Sequence, residues 1–196
     1  MTTIYFVRHG ATENRGRIIY GRMPGFNLSE IGRKEAERTG QFFAQKNIKQ
    51  IYTSPLERAF QTADFISNQI PGSTITHNFD LNEVESSSWQ GLSPDELFKN
   101  NSYEMFINDP NADIGSENLN QLVYRIKKFT EEIVQKHKGE EVICVSHEIP
   151  MLALKLHFEG KPLVSLKTYH LPTCSIIEFR FDENGKFVSA KSLTSA

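Results

Sequence analysis

Arginine and histidine stand side by side at Arg8-His9, followed by Gly10, and a second histidine lies far along the chain in Ser146-His147-Glu148. Between them, Ser54-Pro55-Leu56-Glu57-Arg58 carries another arginine. Two arginines and two histidines brought to one place describe an anion site. A guanidinium pairs through its planar fork with two phosphate oxygens and keeps its charge at any working pH. Phosphoryl transfer spreads negative charge over the equatorial oxygens, so fixed cations supply much of its catalysis. The same cations disfavour imidazolium, which leaves one nitrogen of His9 a free lone pair for attack on phosphorus. The other ring nitrogen then needs an acceptor, and a backbone carbonyl near Gly10 is within reach. Gly10 itself permits close backbone approach or an unusual φ.

Each group alone has an ordinary explanation: a surface turn for Arg8-His9-Gly10, a helix-surface charge for Arg58, a satisfied core histidine for His147. Their positions argue otherwise. Three short apolar runs, Ile4 to Val7, Ile51 to Thr53 and Val142 to Val145, read as strands covered on both faces, as in a parallel sheet. Each run ends directly in the polar residues just named. Ligands of open parallel sheets sit outside the carboxyl ends of the strands, so this arrangement delivers His9, Arg58 and His147 to one edge.

Helical patterns separate the runs. Ser29 can cap a helix reaching about Gln45, Pro55 suits the first turn of a helix towards Asn68, and Asn118 to His137 carries one apolar stripe. Thr74 to Phe79 reads as a further strand, and the alternation of Ser175 to Asp182 suits a late edge strand. Ser93-Pro94-Asp95-Glu96 is a capping box that starts a short helix. Around it, residues 82–116 are otherwise polar and irregular, and they read as an insertion over the sheet, a candidate lid. The expected architecture is α/β, one domain over 1–196.

Composition narrows the classes. The chain has 196 residues, a net charge of -2, and only two cysteines. No global basic field calls for nucleic acid or anionic lipid, and no apolar run approaches the roughly 18 residues of a membrane span. Cys144 and Cys174 lie in or beside apolar runs and read as buried free thiols, which fits a reducing cytosol. With no signal peptide in the first residues, the expected location is cytoplasmic.

Four stretches in order resemble the histidine phosphatase superfamily, the phosphoglycerate mutase-like family, in its first branch. Arg8-His9-Gly10-Ala11-Thr12 resembles the signature RHG(E/Q/A)T, and Ser54 to Ala63 resembles S-x-L-x-R-A-x-x-T-A. Leu81-Asn82-Glu83-Val84 with Trp89-Gln90-Gly91-Leu92 is similar to L-x-E…W-x-G-L, and Val145-Ser146-His147 to the closing V-S-H. The resemblance spans Ile4 to about Phe179. It implies a three-layer sandwich with a mostly parallel central sheet, helices on both faces and the insertion over the strand ends.

The resemblance also implies roles. His9 takes the phosphoryl group as phosphohistidine, while Arg8, Arg58 and His147 bind it and stabilise its charge. Glu83 protonates the leaving oxygen and later deprotonates water. No metal and no cofactor are implied. The family often places asparagine six residues beyond the nucleophile, where this chain has Arg15; Asn14, one residue earlier, is the candidate to reach the phosphate instead. A second branch puts its proton donor directly after the second histidine, which makes Glu148 the rival of Glu83. Gly21 and Arg22, with Arg15 and Arg17, resemble the segment bordering the substrate pocket.

Those arginines either draw in anionic metabolites, including ones with a carboxylate or second phosphate, or form a solvated basic loop. Trp89 and Phe98 either pack over substrate or make a small local core. Glu117, at the start of the long helix, can steady a pocket arginine. The expected partner is a small phosphorylated metabolite, and hydrolysis of phosphate monoesters is the preferred reading. Mutase-type return of the phosphoryl group and a non-catalytic phospholigand-binding protein are the alternatives.

Overall fold

Six strands form the centre of the computed structural model, which describes residues 1–193: β1 (Thr2–Arg8), β2 (Gln50–Thr53), β3 (Thr74–His77), β4 (Glu141–Ser146), β5 (Ile176–Phe181) and β6 (Phe187–Leu193). They make one sheet in the order β3-β2-β4-β1-β5-β6. The first four strands run parallel, while β5 is antiparallel to both of its neighbours, β1 and β6.

Alternate side chains of each strand point to opposite faces, and each face has its own helical cover. Tyr5, Val7, Ile51 and Ile143 pack towards α1 (Glu30–Phe43) and α2 (Glu57–Ser67) through Phe43, Ala59, Ala63 and Ile66. Ile4, Phe6, Tyr52 and Cys144 face α5 (Leu119–Lys136) and α6 (Glu148–Phe158), meeting Leu122, Ile126, Phe129 and Leu154. The architecture is therefore an α/β sandwich of three layers, with the four inner strands β2, β4, β1 and β5 buried on both sides. Caps set the helix starts. The Ser29 hydroxyl accepts the N–H of Gly32, and Asn118 forms a reciprocal box with Gln121.

The structure corrects several boundaries. The helix expected from Pro55 begins at Glu57, because Ser54 Oγ takes the N–H of Leu56 and holds Pro55-Leu56 outside the helix. The strand from Thr74 ends at His77, and Asn78 caps a 3-10 turn over Phe79–Leu81. The strand near Ser175 is not an edge: β6 covers it, with a pattern of Ser and Lys too polar to register as buried strand.

The segment 82–116 holds more helix than its polarity suggests. After α3 (Pro94–Leu97), with its capping box at Ser93, comes α4 (Asn101–Asn108), capped by the Asn100 side chain. Trp89 and Phe106, both buried, meet edge-on at 5.0 Å and join the core above α5. Burying aromatic side chains of this size contributes about 1.5–3 kcal/mol each, which is ample to fix the segment. Phe98 remains exposed, with its ring edge-on to Tyr103 at 6.0 Å on the margin of that core.

Candidate active site

Strand register explains why distant residues meet. Arg8 lies opposite Ser146 across β1 and β4, so the next residues, His9 and His147, leave the sheet side by side. The His9 N–H donates to the Ser146 carbonyl at 3.0 Å, and the Ser54 N–H to Val145 at 3.0 Å. The two imidazole centroids are 5.1 Å apart. Arg58, the second residue of α2, enters between them and is fully buried.

The hydrogen bonds fix both tautomers. His9 Nδ1 donates to the Gly10 carbonyl at 2.8 Å, and Arg58 Nε donates to His9 Nε2 at 3.2 Å. The free lone pair of His9 is therefore on Nε2. Arg58 Nη2 donates to His147 Nδ1 at 3.3 Å, so His147 Nε2 carries the proton given to Ser54 Oγ at 2.9 Å. Ser54 Oγ in turn donates a hydrogen bond to Asn82 Oδ1 at 2.7 Å. Burial, then the Arg58 charge, hold both imidazoles well below the ordinary histidine value of 6.5. Gly10 is locked in turn: its N–H donates to Thr62 Oγ1 at 3.0 Å, and a Cβ there would lie 2.6 Å from the Gly32 carbonyl oxygen.

Arg58 is aimed by backbone and by an aromatic face. Its Nη2 donates to the Gly21 carbonyl at 2.7 Å, and its guanidinium carbon lies 4.6 Å from the Tyr20 ring centroid. Gly21 presents that carbonyl with φ +44, left-handed backbone that favours glycine. Arg8 donates to the Leu171 carbonyl and pairs with Glu148 at 2.8 Å. Two buried N–H groups of this centre, Arg8 Nε and Arg58 Nη1, have no hydrogen-bond partner. Buried cationic donors without a partner are costly unless an anion accepts from them.

A cavity of about 420 Å³ opens on this centre, lined at one end by Arg8, His9, Gly21, Glu83 and Glu148. Burial raises the Glu83 carboxyl above the usual carboxylate range, against the opposing Val84 N–H, Arg58 and Arg8. Glu83 is aimed from behind: Arg22 Nε donates to its backbone carbonyl at 2.8 Å, and Arg125 Nη2 at 3.2 Å. Glu117 joins the two arginines, at 2.5 Å from Arg125 Nε and 3.4 Å from Arg22 Nη2.

The residues expected from sequence thus divide. Arg8, His9, Arg58, Glu83 and His147 gather, and Gly21 contributes its carbonyl. Asn14 lines the cavity, but its amide donates to the Ile18 carbonyl at 2.9 Å and accepts the Ile18 N–H at 3.1 Å, which closes the loop instead of facing an anion. Arg22 lies behind Glu83, held by Glu83, Glu85 and Glu117 and outside the lining. Glu148 is engaged by Arg8, by His170 at 2.7 Å and by the Leu171 N–H at 2.9 Å. Ser54, Asn82, Tyr20, Thr62 and Arg125 also support the site; Ser54, Thr62 and Asn82 fall inside recognised motifs, whereas nothing local marks Tyr20 and Arg125. Among the described residues no group of three or more His, Cys, Asp or Glu is placed to hold a metal ion, and no helix is long and apolar enough to cross a membrane.

A buried pair of histidines and arginines at the carboxyl ends of parallel strands sets this α/β chain among proteins that handle anionic groups there. It belongs to the histidine phosphatase superfamily (branch 1), whose model matches residues 4–194. The phosphoserine phosphatase 1 of Hydrogenobacter thermophilus is 24% identical over 198 residues, covering 99% of this chain and 93% of that protein. A metal-independent phosphoserine phosphatase of Arabidopsis thaliana is 34% identical over 157 residues, 75% of this chain and 64% of that one. Among solved structures, Bacillus stearothermophilus YhfR matches with a TM-score of 0.86 at 28% identity, over 96% of this chain and 95% of that chain.

Proposed function

We propose that the chain is a metal-independent phosphate monoester hydrolase that works through a phosphohistidine on His9. The observation that carries this reading is the state of His9: neutral, protonated on Nδ1, with its Nε2 lone pair beside a fully buried arginine. The relatives named as phosphoserine phosphatases support a phosphatase, and one is named metal-independent.

In the first half-reaction Nε2 attacks phosphorus in line with the ester oxygen. The N–P bond forms as the P–O bond breaks, and Glu83 gives its proton to the departing oxygen. Arg8 and Arg58 take the equatorial oxygens, with the orphaned N–H groups of both arginines supplying donors, while His147, accepting from Arg58 at Nδ1, holds that guanidinium in place. The positive charge left on the ring is eased by the Gly10 carbonyl at Nδ1. In the second half-reaction Glu83, now ionised, takes a proton from water. The water oxygen attacks phosphorus, the N–P bond breaks, and inorganic phosphate leaves with His9 neutral again. Gly21 positions Arg58, Arg22 positions Glu83, and Asn14 shapes the pocket loop.

The test is rapid acid-free quenching after mixing with an alkyl phosphate labelled in its phosphoryl group. An acid-labile, alkali-stable label on the chain, absent from His9→Asn, is expected. Turnover without label, or label retained in His9→Asn, overturns the reading.

A further inference from the structure

The rest of the cavity lining differs from the phosphoryl end. Its wall is built by Ile18, Ile19, Trp89, Leu97, Tyr103 and Ile149. Trp89 is fixed there by its Nε1–H to Ser102 Oγ at 2.7 Å and by Tyr103 edge-on at 5.3 Å. Two of the polar side chains nearby are occupied, Asn14 by both backbone groups of Ile18 and Ser86 by the Val84 carbonyl. Glu148 is held by Arg8 and His170. Arg22, the cation that the sequence offers for a second acidic group, points to Glu83, Glu85 and Glu117. Arg17 alone brings a positive charge to this wall, and it is exposed.

We propose that this wall selects phosphate monoesters of uncharged, apolar alcohols, with a ring or branched group of one to two rings lying against Trp89, Leu97 and Tyr103. The proposal rests on the hydrolytic reading above and names its substrate class. A charged leaving group such as serine or glycerate would have to shed water there and gain few partners. An apolar group gains by leaving water, and dispersion contacts with a packed aromatic wall add to that. Size agrees: an apolar cavity of roughly 150 Å³ accepts benzene, and this one measures about 420 Å³ with the phosphoryl end included.

The experiment compares 2-phenylethyl phosphate with O-phosphoserine and 3-phosphoglycerate by kcat/KM. The phenylethyl alkoxide is the poorest leaving group of the three, so faster turnover of its ester reflects the pocket. A preference of about tenfold or more is expected, in the range that apolar pockets achieve. Leu97→Asp should cut that ratio by about tenfold; the ratio is internal to each variant, so partial unfolding does not mimic the effect. Binding is measured in parallel with 3-phenylpropylphosphonate and the phosphonate analogue of phosphoserine. Tighter binding of the former by about tenfold supports the apolar wall even if no ester turns over, in which case only the hydrolytic reading fails. Hydrolysis with equal or reversed preference, or a ratio unmoved by Leu97→Asp, overturns this inference and leaves hydrolysis standing.

Discussion

Arg58 Nε donates to Nε2 of His9 at 3.2 Å, the very nitrogen whose lone pair the ring's other bond to Gly10 leaves free. A cation on the lone pair both holds the ring still and opposes its protonation. Burial adds to that opposition, and its effect is the larger. A nitrogen NMR titration should therefore find His9 neutral and protonated on Nδ1 well below pH 6.5. A His9 imidazole that titrates at or above 6.5 contradicts this.

The same shift has a stability consequence. Above the unfolded value of 6.5 neither state of His9 or His147 is charged, and no cost arises. As pH falls below 6.5 the unfolded chain binds protons that the folded one refuses. Stability then drops by about 1.4 kcal/mol per pH unit per histidine, until the folded values are reached. Glu83, raised in the fold, acts in the opposite sense, losing stability as pH rises through its folded value. Urea midpoints from about pH 7.5 to about 5.5 in Glu83→Gln isolate the histidine contribution, and a flat profile there contradicts it.

Ser54 links His147 to Asn82 through bonds of 2.9 and 2.7 Å, all three residues being buried. Ser54→Ala strands the His147 and Leu56 N–H groups and the Asn82 carbonyl oxygen, at about 1–3 kcal/mol for each that stays buried. It also frees His147 to change tautomer and cease accepting from Arg58. A lowered Tm together with a fall of about tenfold in kcat is expected. A variant with native Tm and native kcat would show that the relay does not matter.

Arg22 and Arg125 donate to one and the same acceptor, the Glu83 carbonyl. Removing either leaves the other in place, so Arg22→Ala should lower kcat only several-fold, while the double variant with Arg125→Ala should lose about a hundredfold. The cycle is then strongly non-additive. Inhibition by inorganic phosphate should stay within about threefold, because neither arginine lines the phosphoryl end of the cavity. Equal losses of phosphate affinity and of kcat would make them anion ligands instead.

What the sequence disclosed follows from how local each determinant is. The strands at Ile4, Ile51 and Val142 are apolar on both faces, and their ends carry the reactive groups directly, so the sheet edge could be located. Ser29 and Asn118 cap their helices with side chains that sequence alone identifies. β6 was hidden because its half-buried residues, Phe187, Ala190 and Leu193, recur at every third position instead of every second. Arg22 misled for another reason. Its place in the chain is beside Gly21, but its partners Glu83, Glu85 and Glu117 come from remote segments, and charge pairing across such distances leaves no local pattern.

Glu83 and Glu148 are the two carboxylates of the cavity, and their surroundings separate their roles. Burial raises the Glu83 carboxyl from its ordinary value and so favours the protonated form that a proton donor requires. Glu148 accepts from Arg8, His170 and Leu171 together, which holds its carboxyl in place against Arg8. Glu83→Gln should lower turnover of an alkyl phosphate by about a hundredfold to ten-thousandfold. With p-nitrophenyl phosphate the leaving group departs without a proton, so the first half-reaction survives. Water attack still lacks its base, and phosphorylated chain should accumulate as a burst. Glu148→Gln keeps an acceptor oxygen and should raise KM through a loosened Arg8 while kcat stays within about threefold. Should Glu148→Gln abolish turnover and Glu83→Gln spare it, the proton donor is Glu148.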